Sequence, residues 1–248
     1  MLDTLLPAPG PRSLRGLAFP RTLDVLVMAP HPDDFDAIGV TLRHLHRAGH
    51  RLQVAVLTGG AGGVEDAFAG AHDAVAKAAL RESEQRASCA FFGLAPEHLH
   101  FLRLWEGASD SEDAARLRSW MAARPADLLF LPHGNDSNKT HRRVHETVCA
   151  TAADLRLQAW ACLNRDAKTL GMRADLFFEF GEEEAAWKAQ LLRLHRSQQE
   201  RNLRTRGQGF DERVLAVNRE AAREVGAPLP YAEVFELKPL GRRPAGPP

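Results

Sequence analysis

Met28-Ala29-Pro30-His31-Pro32-Asp33-Asp34-Phe35-Asp36 marks the point where a buried strand runs straight into a helix. Just upstream, Leu23 to Met28 reads L-D-V-L-V-M, nearly all apolar, as a strand covered on both faces does. Downstream, Phe35, Ile38, Leu42 and Leu45 recur at three- and four-residue steps and share one helical face. Two prolines stiffen the junction by fixing φ and withholding backbone donors. Between strand and helix sit one imidazole and three carboxylates. His31 and Asp34 are i and i+3, so a chain entering a helix turns both toward one point, and both are suitable ligands for a divalent cation such as zinc. Asp33 lies between them, free to act as a base. The competing reading is a plain strand-to-helix turn in which Asp33 or Asp34 caps the helix.

Outward from that junction the pattern repeats. Leu52 to Leu57 is a second strand, closed by the flexible loop Thr58-Gly59-Gly60-Ala61-Gly62-Gly63. A helix follows from about Ala71 to Phe92, with Gly93 as its C-cap. His98 to Leu104 reads as a third strand, and Ser111 to Ala123 as a helix with Ala114, Leu117 and Met121 facing in. Asp127 to Leu131 is a fourth strand, and Thr140 opens a helix with Val144, Val148 and Leu155 on one side. Strands alternating with amphipathic helices predict an α/β fold, a doubly wound and mainly parallel sheet flanked by helices. In such sheets ligands sit beyond the carboxyl ends of the strands. From about Leu157 the alternation becomes irregular, an α+β part with a strand at Leu176 to Phe180 and a last strand at Tyr231 to Leu237. Between those two strands lies one helix from Glu183 to Leu203, with Trp187, Leu191 and Leu194 inward. The expected organisation is a loose lead-in over residues 1–20, a single domain over 21–240 and a flexible tail over 241–248.

Hydrophobic content of 44% and charged content of 26% suit a chain with one sizeable core. Lys plus Arg equals Asp plus Glu at 32 each, so no nucleic-acid or anionic-membrane partner is indicated. Cys89, Cys149 and Cys162 stand far apart without C-x-x-C spacing, which suits a reducing cytoplasm. Near the start, Leu2, Leu5 and Leu6 are followed at once by prolines and arginines, so neither a signal peptide nor a membrane span is expected.

A second donor cluster, Leu131-Pro132-His133-Gly134-Asn135-Asp136-Ser137-Asn138-Lys139-Thr140-His141-Arg142-Arg143-Val144-His145, ends the fourth strand. It is too polar for core. With Thr140 as N-cap, His141 falls in the first helical turn and His145 one turn later on the same face. The two could chelate as an i, i+4 pair, but beside His31 and Asp34 one is enough, and His141 is favoured because the preceding turn brings the loop toward the first cluster.

These motifs, with Thr58-Gly59-Gly60 and Thr140-His141-Arg142, resemble the LmbE/PIG-L family of zinc-dependent N-deacetylases. The likeness extends through the stretch Lys188 to Gln198 and through Tyr231-Ala232-Glu233-Val234-Phe235, so it spans roughly residues 22–238. It implies a Rossmann-like fold that hydrolyses the acetamide of an N-acetylated amino sugar or its conjugate. By the family pattern His31, Asp34 and His141 hold one divalent ion, Zn2+. Asp33 is the general base that activates the zinc-bound water, and Arg81 of an R-x-x-E helix helps bind substrate. Such chemistry needs a nucleophile, a sink for charge on the carbonyl oxygen and a proton for the leaving amine.

One departure stands out. Many members read H-P-D-H where this chain has Asn138-Lys139-Thr140-His141, so Asn138 replaces a histidine that assists the oxyanion or leaving group. An amide donates a hydrogen bond but shuttles no proton at neutral pH. Either Asp33 makes both proton transfers, or His133 or His145 substitutes. Weaker signals are the glycine loop, which lacks G-x-G-x-x-G and reads as a mobile cover, and the basic run Arg193, Arg196, Arg201, Arg204 and Arg206. That run reads as a solvated helix face, or else as a contact to an anionic substrate group. Trp105 reads as a core or rim residue, or as a platform for a sugar ring. Rival readings are a catalytically idle metal-containing binding domain and a metal-dependent phosphoesterase. The partner expected is a small N-acetyl amino sugar; a homo-oligomer is compatible with the sequence.

Overall fold

Strands and helices alternate along the computed structural model, which describes residues 10–107 and 109–241. In chain order the elements are β1 (Arg12–Ser13), β2 (Asp24–Ala29), α1 (Asp34–Ala37), α2 (Gly39–Arg47), β3 (Arg51–Val56), α3 (Ala74–Phe92), β4 (Leu99–Phe101) and α4 (Asp110–Ala122). Then come β5 (Leu128–Pro132), α5 (Lys139–Asp154), β6 (Ala159–Asn164), β7 (Leu176–Phe180), α6 (Glu182–Arg193), α7 (Arg196–Arg206), α8 (Phe210–Glu224) and β8 (Tyr231–Leu240). The described strands form one sheet in the order β1-β7-β8-β6-β5-β2-β3-β4. All pairings are parallel except those of β8, which runs antiparallel to both β6 and β7. Alternate residues of β2 enter different cores, as the two-residue strand period requires: Val25, Val27 and Ala29 join one face of the sheet, Leu26 and Met28 the other.

The chain leaves β2 toward β3 and β4 on one side, then crosses back so that β5 pairs with the other side of β2. The gap beyond the carboxyl ends of β2 and β5 is therefore a topological switch point, where doubly wound sheets place their ligands.

Several elements differ from the sequence expectation, and the two helix breaks among them share one cause: a carboxylate from a distant segment captures free N–H groups at a helix start. The helix expected to run on from Phe35 breaks at Ile38. Glu233 of β8 accepts the N–H groups of Val40 (3.1 Å) and Thr41 (2.7 Å), so α2 starts anew. The single helix expected over 183–203 breaks at Leu194–His195 in the same way. Glu84 of α3 accepts from both the backbone and the hydroxyl of Ser197, each at 2.7 Å. On α4, Ala114 is exposed and Asp113 is buried, because Asp113 Oδ2 accepts the Trp105 N–H at 2.6 Å. Asn138, not Thr140, is the N-cap of α5, its side-chain oxygen accepting from Thr140 N at 2.9 Å. β4 is shorter than expected, and β6 and α8 occupy stretches that read as irregular.

The lead-in is not wholly loose: β1 pairs with β7, and Leu14 is fully buried. Residues 1–9 of that lead-in and 242–248 of the expected tail lie outside the described residues. No described helix is long and apolar enough to cross a membrane, and the three cysteines are free.

A buried ion cluster fastens the late elements to the first βα unit. Lys188 of α6, wholly inaccessible, donates to Ala37 O (2.6 Å), Asn218 Oδ1 (2.7 Å) and Glu233 Oε1 (2.7 Å). Burial pulls its pKa down, against the opposing pull of Glu233. All three ammonium protons have acceptors, which is the condition for holding a charge in a core.

Candidate metal and substrate site

His31 and Asp34 follow β2, His141 lies in the first turn of α5, and the switch point brings all three together. Their donor atoms lie within 4.8 Å of one another, and no other such group occurs among the described residues. Asp34 Oδ2 accepts the His31 backbone N–H at 2.8 Å and lies 3.2 Å from His31 Nδ1, while Asp34 Oδ1 is 3.6 Å from His141 Nε2. Burial opposes the charged Asp34 carboxylate, but the imidazoles of His141 and His31 outweigh it and hold its pKa well below the usual range. Behind His141, Asp136 Oδ2 sits 3.1 Å from Nδ1. Burial works to lower His141, yet Asp34 and the Asp136 contact raise it to about 9. Two imidazoles and one carboxylate, with a carboxylate orienting one ring from behind, form a donor set suited to a divalent metal.

Asp33 stands beside this group under strain. Its φ is 115°, a conformation a side-chain-bearing residue holds only when its surroundings enforce it. Three contacts do so. Its N–H donates to Gln85 Oε1 at 2.9 Å, its carboxylate meets Arg81 Nη2 at 2.8 Å, and Arg81 also donates to the carbonyl of Pro32. Burial lifts the Asp33 pKa above the ordinary carboxylate value against the pull of Arg81.

Arg81 is 3% exposed, and its guanidinium also donates to Gly60 O at 3.2 Å. It lines the cavity, with Nη1 and Nη2 engaged by Gly60 O, Pro32 O and Asp33 and with Nε unpartnered. The glycine loop is built for that side chain. A Cβ on Gly60 or on Gly63 would lie 2.7 Å from Arg81 Nη1, and Gly60 has φ +63°. The loop expected to be a mobile cover is instead packed against Arg81 on one side and Glu106, which accepts the Gly59 N–H, on the other.

His31, Asp33, Asp34, Arg81, Asn138 and His141 line one cavity of about 680 Å³. Asn138 spends its Oδ1 on Thr140 as the helix cap. Its Nδ2 donates to no described residue and is the side chain's remaining donor. Trp105 also lines the cavity, with the Arg143 guanidinium 4.1 Å over its ring.

His133 and His145 do not join this group. They line a separate, shallower cavity in which His133 Nε2 lies 3.3 Å from Glu236 and His145 Nδ1 lies 3.0 Å from Pro132 O. Neither is placed to protonate a leaving group beside Asp33.

The sequence reading assigned no role to Asp136, Gln85, Asp36 or His195. His195 and Asp36 form a pair with neither side chain exposed, Nε2 to Oδ2 at 2.6 Å, and Gln85 donates to Asp36 at 3.0 Å while accepting from Asp33. Burial works against a charged His195, but Asp36 prevails and raises its pKa. Asp36 was visible in the opening motif, and His195 in the stretch Lys188 to Gln198; only their 159-residue separation hid the pairing.

The sequence pattern described as PIG-L, GlcNAc-PI de-N-acetylase, matches residues 26–152, just over half of the chain. Comparison with curated proteins gave no match. Among solved structures, N,N'-diacetylchitobiose deacetylase from Pyrococcus horikoshii is similar at 20% identity and a TM-score of 0.69, over 87% of this chain and 84% of that one. A zinc-inhibited form of teicoplanin deacetylase Orf2 aligns at 14% identity and 0.64, over 87% and 98%. The 4-carboxy-2-hydroxymuconate hydratase GalB from Pseudomonas putida KT2440 aligns at 17% and 0.65, over 87% and 96%. At such identities the likeness is one of fold, and that fold carries both deacetylases and a hydratase.

Proposed function

This chain belongs to the PIG-L family, GlcNAc-PI de-N-acetylase, and from that premise we propose that it is a metal-dependent hydrolase that removes the acetyl group from an N-acetylated amino sugar or its conjugate. The observation that carries the proposal is the gathering of His31, Asp34 and His141 within 4.8 Å, in the cavity that also holds Asp33.

His31, Asp34 and His141 would hold the ion, and the donor set suits zinc. When bound, a divalent cation acidifies water and polarises an acyl oxygen. Asp33 takes the proton from the attacking water, and its raised pKa brings it closer to the range in which a carboxylate both accepts and returns a proton. Arg81 and Gln85 fix the Asp33 carboxylate and backbone. Asn138 Nδ2 is available to donate to the developing oxyanion, a neutral stabiliser. With Asn138 unable to carry a proton and His133 and His145 in another cavity, Asp33 delivers the proton to the leaving amine as well.

A phosphoesterase with two metals would require a second ligand group, and the described residues hold one. An idle binder has no use for a strained, buried carboxylate beside its ligands.

The test is amine release from a panel of N-acetyl sugars by metal-loaded protein, paired with metal content. Asp33→Asn should retain about one ion per chain and lose roughly 10²–10⁴-fold in kcat, the usual contribution of a positioned general base. Near-native turnover in that variant overturns the role of Asp33. Two ions per chain, or no amine release from any substrate, overturns the proposal itself.

A further inference from the structure

The cavity is larger than a single sugar ring requires, and part of its lining comes from α7 and α8, which lie outside the segment matched to the family. Six arginines line it. Three are neutralised by carboxylates: Arg81 by Asp33 at 2.8 Å, Arg143 by Asp110 at 2.7 Å, and Arg165 by Glu224. The other three, Arg201, Arg206 and Arg213, have no carboxylate within ion-pair distance among the described residues. Their arrangement is not that of three cations avoiding one another. Arg206 Nη1 (3.3 Å) and Arg213 Nη1 (3.1 Å) both donate to the same oxygen, Oδ1 of Asn202, a residue 3% exposed and itself fixed by a hydrogen bond to Gln198 O at 2.8 Å. A buried amide thus gathers two guanidiniums onto one wall, and half-buried Arg201 lines the same cavity.

From this geometry we infer that Arg201, Arg206 and Arg213 form a subsite for an oxyanion, a carboxylate or a phosphate ester, carried on the substrate outside its acetamide. The inference deepens the deacetylase reading and rests on it for the identity of the rest of the substrate. Clustered like charges, two of them here half-buried, repel one another unless an anion completes them. Burial, and after it the neighbouring Arg206 and Arg201 charges, weaken the hold of Arg213 on its proton against the pull of Asp166 and Asp33. Guanidiniums present planar forks of donors that match carboxylate and phosphate oxygens. Arg206 is exposed at the cavity mouth, yet it turns onto the same Asn202 oxygen as half-buried Arg213, whereas Arg204 on the same helix pairs with Glu65.

Two measurements on the metal-loaded full chain decide it. The first compares kcat/KM for the methyl, carboxymethyl and 1-phosphate derivatives of N-acetylglucosamine. The wild type should prefer at least one anionic derivative over the methyl glycoside by about tenfold or more, the worth of one charge-assisted hydrogen bond, with the difference residing in KM. The ratio should fall toward one in Arg206→Gln/Arg213→Gln and return partly in Arg206→Lys/Arg213→Lys. Which anion is preferred separates carboxylate from phosphate. The second measures the melting temperature with inorganic phosphate against chloride at equal ionic strength: phosphate should stabilise the wild type and not the double glutamine variant. Equal kcat/KM for charged and neutral derivatives, or phosphate stabilisation that survives in the double variant, overturns the inference. If no derivative releases amine, the deacetylase reading fails, and the phosphate measurement still decides the subsite.

Discussion

Asp136→Asn tests the ligand assignment at one remove from the metal. Asp136 is 1% exposed, with Oδ2 3.1 Å from His141 Nδ1 and Oδ1 accepting the Asn138 N–H at 2.6 Å. The amide keeps an oxygen for Asn138 and gives up the charge behind the imidazole. Two effects then oppose each other. Loss of the orienting carboxylate costs about 10–100-fold in metal affinity, about 1.4–2.7 kcal/mol. The same carboxylate, however, helps Asp34 raise His141 to about 9. At about pH 7 the metal must therefore compete with a proton on the ring, which offsets part of its affinity. Removing Asp136 relaxes only part of that competition, because Asp34 and Asp166 still favour the protonated ring. The expected result is a zinc affinity weakened about 10–100-fold near pH 9.5, where proton competition has gone, and by a smaller factor near pH 7. Competition with a chromophoric chelator at both values measures it. Unchanged affinity at the higher pH, or a larger loss at the lower, refutes the assignment of His141 as a ligand backed by Asp136.

Lys188→Met leaves Glu233 buried without its cation but still bonded to Val40 and Thr41. The loss should fall near the low end of the range for breaking a buried pair, about 3 kcal/mol in urea unfolding, and a loss under about 1 kcal/mol would remove the clamp from the account. Gly63→Ala puts a methyl 2.7 Å from Arg81 Nη1 and 3.2 Å from Gln198 Nε2, both ends of flexible side chains. Stability should shift by less than about 1 kcal/mol while kcat/KM falls about tenfold or more as Arg81 and Asp33 move, and unimpaired kinetics would contradict the packing argument. Because burial raises Asp33 and the base must be ionised to accept a proton, kcat/KM should climb with pH through an apparent pKa above the ordinary carboxylate value of about 4. That limb should vanish from the residual activity of Asp33→Asn; its persistence there would assign it to another group.

The parts legible in the sequence were those written in one local stretch. The β2 run is apolar throughout because both faces of the strand are covered, and its termination at His31-Pro32-Asp33-Asp34 announces donors at a strand end. His141 was legible because a second donor cluster had to end a second strand. What could not be read was supplied from afar. Nothing near Ile38 or Leu194 declares a helix break, since the captors Glu233 and Glu84 lie 192 and 113 residues away from the Thr41 and Ser197 they bind. Asn138 and Thr140 are both competent caps, and the choice depends on how Asp136 turns the loop. Arg81 was legible through the R-x-x-E resemblance, but its contacts with the Pro32 and Gly60 carbonyls were not, because a sequence does not record which carbonyls a side chain meets. The run Arg193 to Arg206 likewise hides which guanidiniums find carboxylates and which face the cavity.

The position of β8 bears on how the molecule comes into being. The last of the described strands in chain order, β8, lies between β7 and β6, in the interior of the sheet. While the ribosome is still attached, β6 presents a bare apolar edge and β7 has no neighbour linking it to the rest. The nascent chain must hold two incomplete half-sheets until Tyr231–Leu240 emerges, a period in which unpaired edges invite aggregation. A chain cut just before Tyr231 would therefore lose not an edge but the strand that joins β7 to β6.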